Sequence, residues 1–129
     1  MPSLTSMGDR DLKRLDKKAG LDAIYRTKVS GSTNLTTGDN TITYSPAESS
    51  TTPNARVRSA ALSAYELAKL SQAGLTQIDA TWKMRSAYAS EVKAGDLITV
   101  GGFTYEVISG GAMLDVLRLL WTIHTRRRR

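Results

Sequence analysis

The sequence predicts a mainly β fold, a small β-barrel or sandwich with a short N-terminal helix and one internal helix at about 64–73. Three observations lead there. Segments 24–29, 41–44, 56–60, 78–85, 97–100 and 103–108 are short and rich in β-branched and aromatic residues, the composition that suits a pleated, half-buried surface. The stretches between them are dominated by Gly, Ser, Thr, Asn and Pro, which end regular structure. A chain of 129 residues with 40% hydrophobic content fills one core and little more.

The first element is helical. From Ser6 to Gly20 the charges run from Asp9 and Asp11 to Lys17 and Lys18, the order that the helix dipole favours. Its apolar content is only Leu12 and Leu15, with Leu4 and Met7 ahead of them. We therefore expect 1–20 to be an arm that docks on something, such as a neighbouring subunit. Residues 21–125 then form a single β-rich domain. Its polar stretches 31–40 and 45–55 read as long loops, which in a small domain usually serve as functional surfaces.

The internal helix is punctuated at both ends. Ser63 and Glu66 have capping-box spacing, Leu62 and Leu67 that of a hydrophobic staple. Gly74 suits the left-handed position after a helix, with Leu75 placed to pack back on Leu70. In strand 78–85, Ile78, Ala80, Trp82 and Met84 share one face, and Asp79, Thr81, Lys83 and Arg85 the other, as in a sheet with one dry side. Gly101-Gly102 between 97–100 and 103–108 marks a two-residue hairpin turn, and Phe103, Tyr105 and Val107 fall on one face. Gly110-Gly111 reads as a bulge or loop. Segment 114–125 fits either a strand or a helix face; Val116, Trp121, Thr122, Ile123 and Thr125 favour the strand.

Charge is placed unevenly. The net +6 divides into +2 over residues 1–20, zero over 21–125, and +4 over the basic tail Arg126-Arg127-Arg128-Arg129. A groove that tracks nucleic acid needs positive charge in the body, and the body is neutral. The tail reads either as a solvated end or as a grip on phosphate or carboxylate, which guanidinium binds in bidentate fashion.

Catalytic, cofactor and metal sites are not expected. Zero Cys excludes disulfides and thiolate chemistry, and the single His124 has no nameable orienting partner. It reads as a surface or interface residue. Asp79, Glu91, Asp96, Glu106 and Asp115 read as solvated or turn carboxylates, since acids are mostly exposed. Trp82 and Trp121 sit at strand spacing among apolar residues and read as core. No apolar run approaches the ~20 residues of a membrane span, and the N-terminus lacks the apolar segment of a signal peptide.

Strand 78–85, then Val92-Lys93-Ala94-Gly95-Asp96-Leu97-Ile98 running into Gly101-Gly102-Phe103-Thr104-Tyr105-Glu106-Val107, then Trp121-Thr122-Ile123, resembles the neck proteins of tailed bacteriophages. The likeness is to head-closure (stopper) and head–tail joining proteins, and covers about 56–125. It implies a structural barrel that forms a ring, hexameric or dodecameric, under the portal. Such a ring closes the DNA-filled head and joins it to the tail. It further implies partners in the portal or adaptor and in the tail or tail-terminator protein, contact with packaged DNA, and a place in the virion neck after assembly in the host cytoplasm. Contact residues expected on this basis are Arg126, Arg127, Arg128 and Arg129, with Asn34, Asp39 and Glu48 on the two loops. The alternative is a small nucleic-acid-binding β-barrel that uses its aromatic faces and basic tail.

Overall fold

The computed structural model describes residues 4–33, 40–72, 74 and 78–128. Their order is α1 (Leu4–Ala19), β1 (Leu21–Thr33), β2 (Asn40–Ser45), β3 (Ala55–Ala60), α2 (Ala64–Gln72), β4 (Ala80–Arg85), β5 (Leu97–Val100), β6 (Phe103–Leu114) and β7 (Leu120–Arg127). All pairings are antiparallel, in the order β2-β1-β3-β4-β7-β6-β5, and β5 returns to pair with β1. Six strands thus close into a barrel and β2 extends beside β1.

Closure depends on the length of β1. Residues 21–23 pair with β3, residues 23–26 with β5, and residues 27–33 with β2. One continuous strand serves three partners, so the β3 and β5 edges meet it instead of water, and a closed sheet leaves few edges for aggregation. Sequence composition suggested only 24–29 as strand here. Residues 31–33 and 40, expected in a loop, belong to β1 and β2; residues 34–39 lie outside the described residues.

The core fills the barrel interior. Val57, Met84, Ile98 and Ile123 are fully enclosed, and Trp82 and Trp121 join the same cluster. Each indole N–H finds an acceptor, Trp82 Nε1 on Thr125 Oγ1 (3.2 Å) and Trp121 Nε1 on the Ala89 carbonyl (2.9 Å), as buried indoles require.

Helix α2 begins as its capping box dictates. The Glu66 N–H donates to Ser63 Oγ (3.2 Å), and Ser63 Oγ donates back to Glu66 Oε1 (3.1 Å). Gly74 has φ +86° after the helix, the conformation that costs a side chain and suits glycine. Leu75 lies outside the described residues. Gly101 and Gly102, at φ +60° and +84°, turn the β5–β6 hairpin.

Four local expectations change. Helix α1 starts at Leu4, so Asp9 and Asp11 lie beyond its first turn. Strand β6 runs through Gly110-Gly111 to Leu114, with an irregularity between Val107 and Ala112 opposite β7. Segment 114–125 divides: 115–119 is a turn, and the strand begins at Leu120. That strand continues to Arg127, so Arg126 and Arg127 are β7 residues paired with Glu106 and Tyr105 rather than a free tail.

Thr81 and Arg85 were expected on a wet face, yet are 3% and 8% exposed. The alternation itself holds, with Trp82 and Met84 inside. The outer surface of β4 is simply covered: Thr81 lines a groove beside α2 with Leu62 and Leu70, and Arg85 stacks on Tyr88, 5.6 Å from its ring centre.

Candidate assembly surface

Arg26 organises the segment between β2 and β3. It lies on β1, is 4% exposed, and spends its guanidinium on backbone. Nε donates to the Ala47 carbonyl (3.3 Å), and Nη2 to those of Glu48 (3.2 Å) and Ser50 (2.6 Å). Nη1 donates to Thr99 Oγ1 on β5 (2.9 Å). A buried arginine without a carboxylate is tolerable only when its donors are satisfied, and here three carbonyls of one segment and a barrel hydroxyl satisfy it. The segment read as a long loop at 45–55 is thus tied to the barrel. Asn54 secures its far end, accepting from the Tyr25 N–H (2.7 Å) and donating to the Tyr25 carbonyl (2.9 Å), as a strand neighbour would.

Glu48 on this segment meets Arg128 just past β7. Their 2.7 Å ion pair spans 80 residues, with side chains about half exposed. The hydrogen bond to Glu48 raises the Arg128 pKa, against a smaller opposing effect of burial. Arg128 also lies 5.8 Å from the Tyr44 ring centre, and its N–H donates to the Thr104 carbonyl (2.8 Å). Arg127 stacks over half-exposed Phe103 at 4.9 Å, and its N–H donates to Asp79 Oδ2 (2.7 Å). Between the segment and the β5–β6 hairpin lies an open cavity of about 570 Å³, bordered by Arg26, Glu48, Thr51, Thr99, Phe103 and Arg128.

Of the seven expected contact residues, the structure brings Glu48 and Arg128 together and sets Arg126 and Arg127 beside them on β7. Asn34, Asp39 and Arg129 lie outside the described residues.

Two polar residues read as solvated prove to be buried. Asp96 is fully enclosed. Oδ1 accepts from the Lys28 N–H (2.9 Å), Oδ2 from the Lys93 N–H (2.9 Å) and the Tyr25 hydroxyl. It does occupy a turn before β5, but its carboxylate points inward and joins that turn to β1. Burial first, and then the hydrogen bond to Asp96, raise the Tyr25 pKa well above the usual phenol value. His124 is 5% exposed, with Nδ1 2.9 Å from Thr81 Oγ1. Burial lowers its pKa, Lys83 adds to that, and Glu66 partly offsets it.

The sequence held no signal for Arg26, Tyr25 or Asn54 as organising residues. Each is ordinary in its local pattern, and their partners lie 21 to 73 residues away.

Chemically, this surface offers guanidinium, aromatic faces and carboxylate on a rigid barrel end. Among the described residues no group of His, Asp and Glu is placed to hold a metal ion, and no helix is long and apolar enough to cross a membrane. A closed small barrel with a tethered segment and a charged, aromatic rim defines a structural, partner-binding module. The profile of the Phage Head-Tail Attachment protein family matches residues 28–125, from within β1 to within β7. The chain belongs to that family, and is a bacteriophage structural protein of the virion that connects head and tail. No curated protein and no solved structure matches it.

Proposed function

We propose that the chain is a subunit of a ring in the phage neck, seated under the portal, which closes the DNA-filled head and receives the tail. The family match over residues 28–125 carries this reading, since it spans nearly the whole barrel. The ring is hexameric or dodecameric, assembles in the host cytoplasm, and performs no catalysis. Its partners are the portal or adaptor protein on one side and the tail or tail-terminator protein on the other.

The arginine end of β7, with Glu48, Asn34 and Asp39, is the contact surface in this proposal. Protein docking is favoured over DNA, because Arg128 is already matched to a carboxylate within the chain and the body between the charged ends is neutral. A latch of this kind exchanges one carboxylate for another across an interface. The stack of Arg127 on exposed Phe103 supports packaged DNA as a second reading, since bases and phosphates suit such pairs.

Particles assembled without the protein test the role. DNA-filled heads should accumulate beside free tails, and adding purified protein should restore joining. Normal joining in its absence would refute the proposal. Replacing Arg126, Arg127 and Arg128 by Gln then separates the two readings. Protein docking requires that joining fall while DNA binding is unchanged. A DNA grip requires a salt-dependent affinity whose log–log slope changes by about 0.9 per lost phosphate contact.

A further inference from the structure

Two apolar features lie at opposite ends of the β4–β7 ladder, which runs from Ala80 opposite Thr125 to Arg85 opposite Leu120. The first is the turn 115–119 at the Leu120 end. Its backbone is tied from both sides. Asp115 Oδ1 accepts from the N–H groups of Leu119 (2.7 Å) and Leu120 (3.2 Å), while Ser86 Oγ donates to the Arg118 carbonyl (2.7 Å) and the Ser86 N–H to that of Leu119 (2.8 Å). Arg118 takes φ +57°, a conformation that costs energy in a residue with a Cβ. This well-supported turn holds Val116 98% exposed and Leu117 48% exposed. An apolar pair fixed in water does nothing for the monomer and is prepared to be buried by something else.

The second feature is a groove of about 300 Å³ between α2 and the outer surface of β4, β6 and β7. Its apolar lining includes Ala61, Leu62, Leu70 and Met113. Helix α2 has no fully buried residue, and Met113 is 64% exposed at the margin. The volume suits a branched aliphatic side chain.

Charges at the two features are opposite. Asp115 and Arg118 flank the turn, while Lys69, Lys83 and Glu66 line the groove. A head-to-tail contact sets Asp115 toward the lysines and Arg118 toward Glu66. We propose that the Val116–Leu117 turn of one copy seats in the α2 groove of a second copy. Such a contact is heterologous, the type from which closed rings are built. The proposal rests on the ring reading above and names the surface that makes the ring.

The chain has no cysteine, so introduced thiols report contacts cleanly. Val116→Cys and Ala61→Cys proteins are purified separately, mixed and oxidised, both free and in neck assemblies on heads. A mixed disulfide between the two variants, absent from either alone, is expected. Val116→Asp should keep the wild-type melting temperature, since the residue is solvent-facing, and weaken self-association by about tenfold or more in sedimentation. A disulfide formed by Val116→Cys alone overturns the proposal, because the turn then meets its own copy. So does unchanged self-association of Val116→Asp, or a variant that assembles normally and fails only to join tails, which makes the occupant a different protein. Native mass spectrometry of the wild type separates the two levels. Rings without the mixed disulfide refute this contact alone, and no rings in any mixture refute the ring as well.

Discussion

The Tyr25 hydroxyl donates to the carboxylate of Asp96, 71 residues further along the chain, at the place where β5 closes the barrel on β1. The same carboxylate takes backbone N–H groups from Lys28 and Lys93. One buried anion therefore fastens the turn before β5 to the strand that β5 must join. Its charge is compensated by three directed dipoles and not by a cation.

Replacing Asp96 by Ala leaves two backbone donors and a phenol without partners. The expected loss is about 3 kcal/mol or more, given roughly 1–3 kcal/mol for each group left unsatisfied. Tyr25→Phe should cost less, about 1–2 kcal/mol, because both backbone bonds survive. Urea unfolding of the two variants checks the order. Equal losses would show that the carboxylate does not hold the turn.

Arg26 and Arg128 both reach the 46–54 segment, but from different environments. Arg26→Ala leaves carbonyls unsatisfied around a buried site and should cost about 3–5 kcal/mol. Arg128→Ala breaks a half-exposed pair and should cost at most about 1 kcal/mol. Cleavage of 46–54 by a broad-specificity protease should accelerate strongly in the first variant and little in the second. Equal acceleration would assign the tether to Glu48 instead of Arg26.

Trp82 stacks edge-on against Tyr105, ring centres 5.2 Å apart at 68°. Truncating Trp82 or Trp121 to Ala should cost about 3–5 kcal/mol. Trp82→Phe keeps the ring contact but strands the Thr125 hydroxyl, and should fall between. A Trp82→Ala protein with wild-type melting would contradict the packing.

Gly111 and Gly110 give a contrast within one bulge. A Cβ on Gly111 would stand 2.7 Å from the His124 carbonyl oxygen and 2.6 Å from Ile108 Cγ1, while one on Gly110 meets open space but sits at φ +71°. Gly110→Ala should cost about 1–2 kcal/mol, the left-handed penalty. Gly111→Ala must push β6 off β7 and should cost more. Thermal unfolding ranks them, and a milder Gly111 variant would mean that the bulge can relax.

His124 sets a pH dependence. Its native pKa lies below the unfolded value of about 6.5, because burial and Lys83 disfavour the charged form. The unfolded chain therefore binds the proton first as pH falls. Stability is complete above about pH 6.5 and declines from there down to the native pKa. His124→Gln should flatten that decline. Tyr25 acts at the other extreme: its raised native pKa makes stability fall as pH rises past about 10. Tyr25→Phe should remove that second slope in urea titrations at pH 9 to 11.

Much of the fold was legible because its signals act over a few residues. The capping box Ser63–Glu66 placed α2 within one residue, Gly101-Gly102 placed the hairpin, and period-two alternation set Trp82 and Met84 inward. These follow from local hydrogen bonding, backbone freedom and the pleat, which need no distant partner. Charge imbalance at the chain ends was also a property of composition alone. Tertiary structure decided the rest. Sequence composition did not reveal that β1 runs on to Thr33 and serves β3, β5 and β2, because barrel closure depends on which edges curvature brings together. Nor did it show that Asp96 is buried, since its partners on β1 lie 68 and 71 residues away. His124 and Thr81 were correctly set facing outward, and only the return of α2 across that face put them out of reach of water. Arg126 and Arg127 looked like a free tail until β6, extended through its bulge, offered them a strand to pair with. A residue's orientation is written in its neighbours along the chain, whereas its burial depends on which distant surface folds over it.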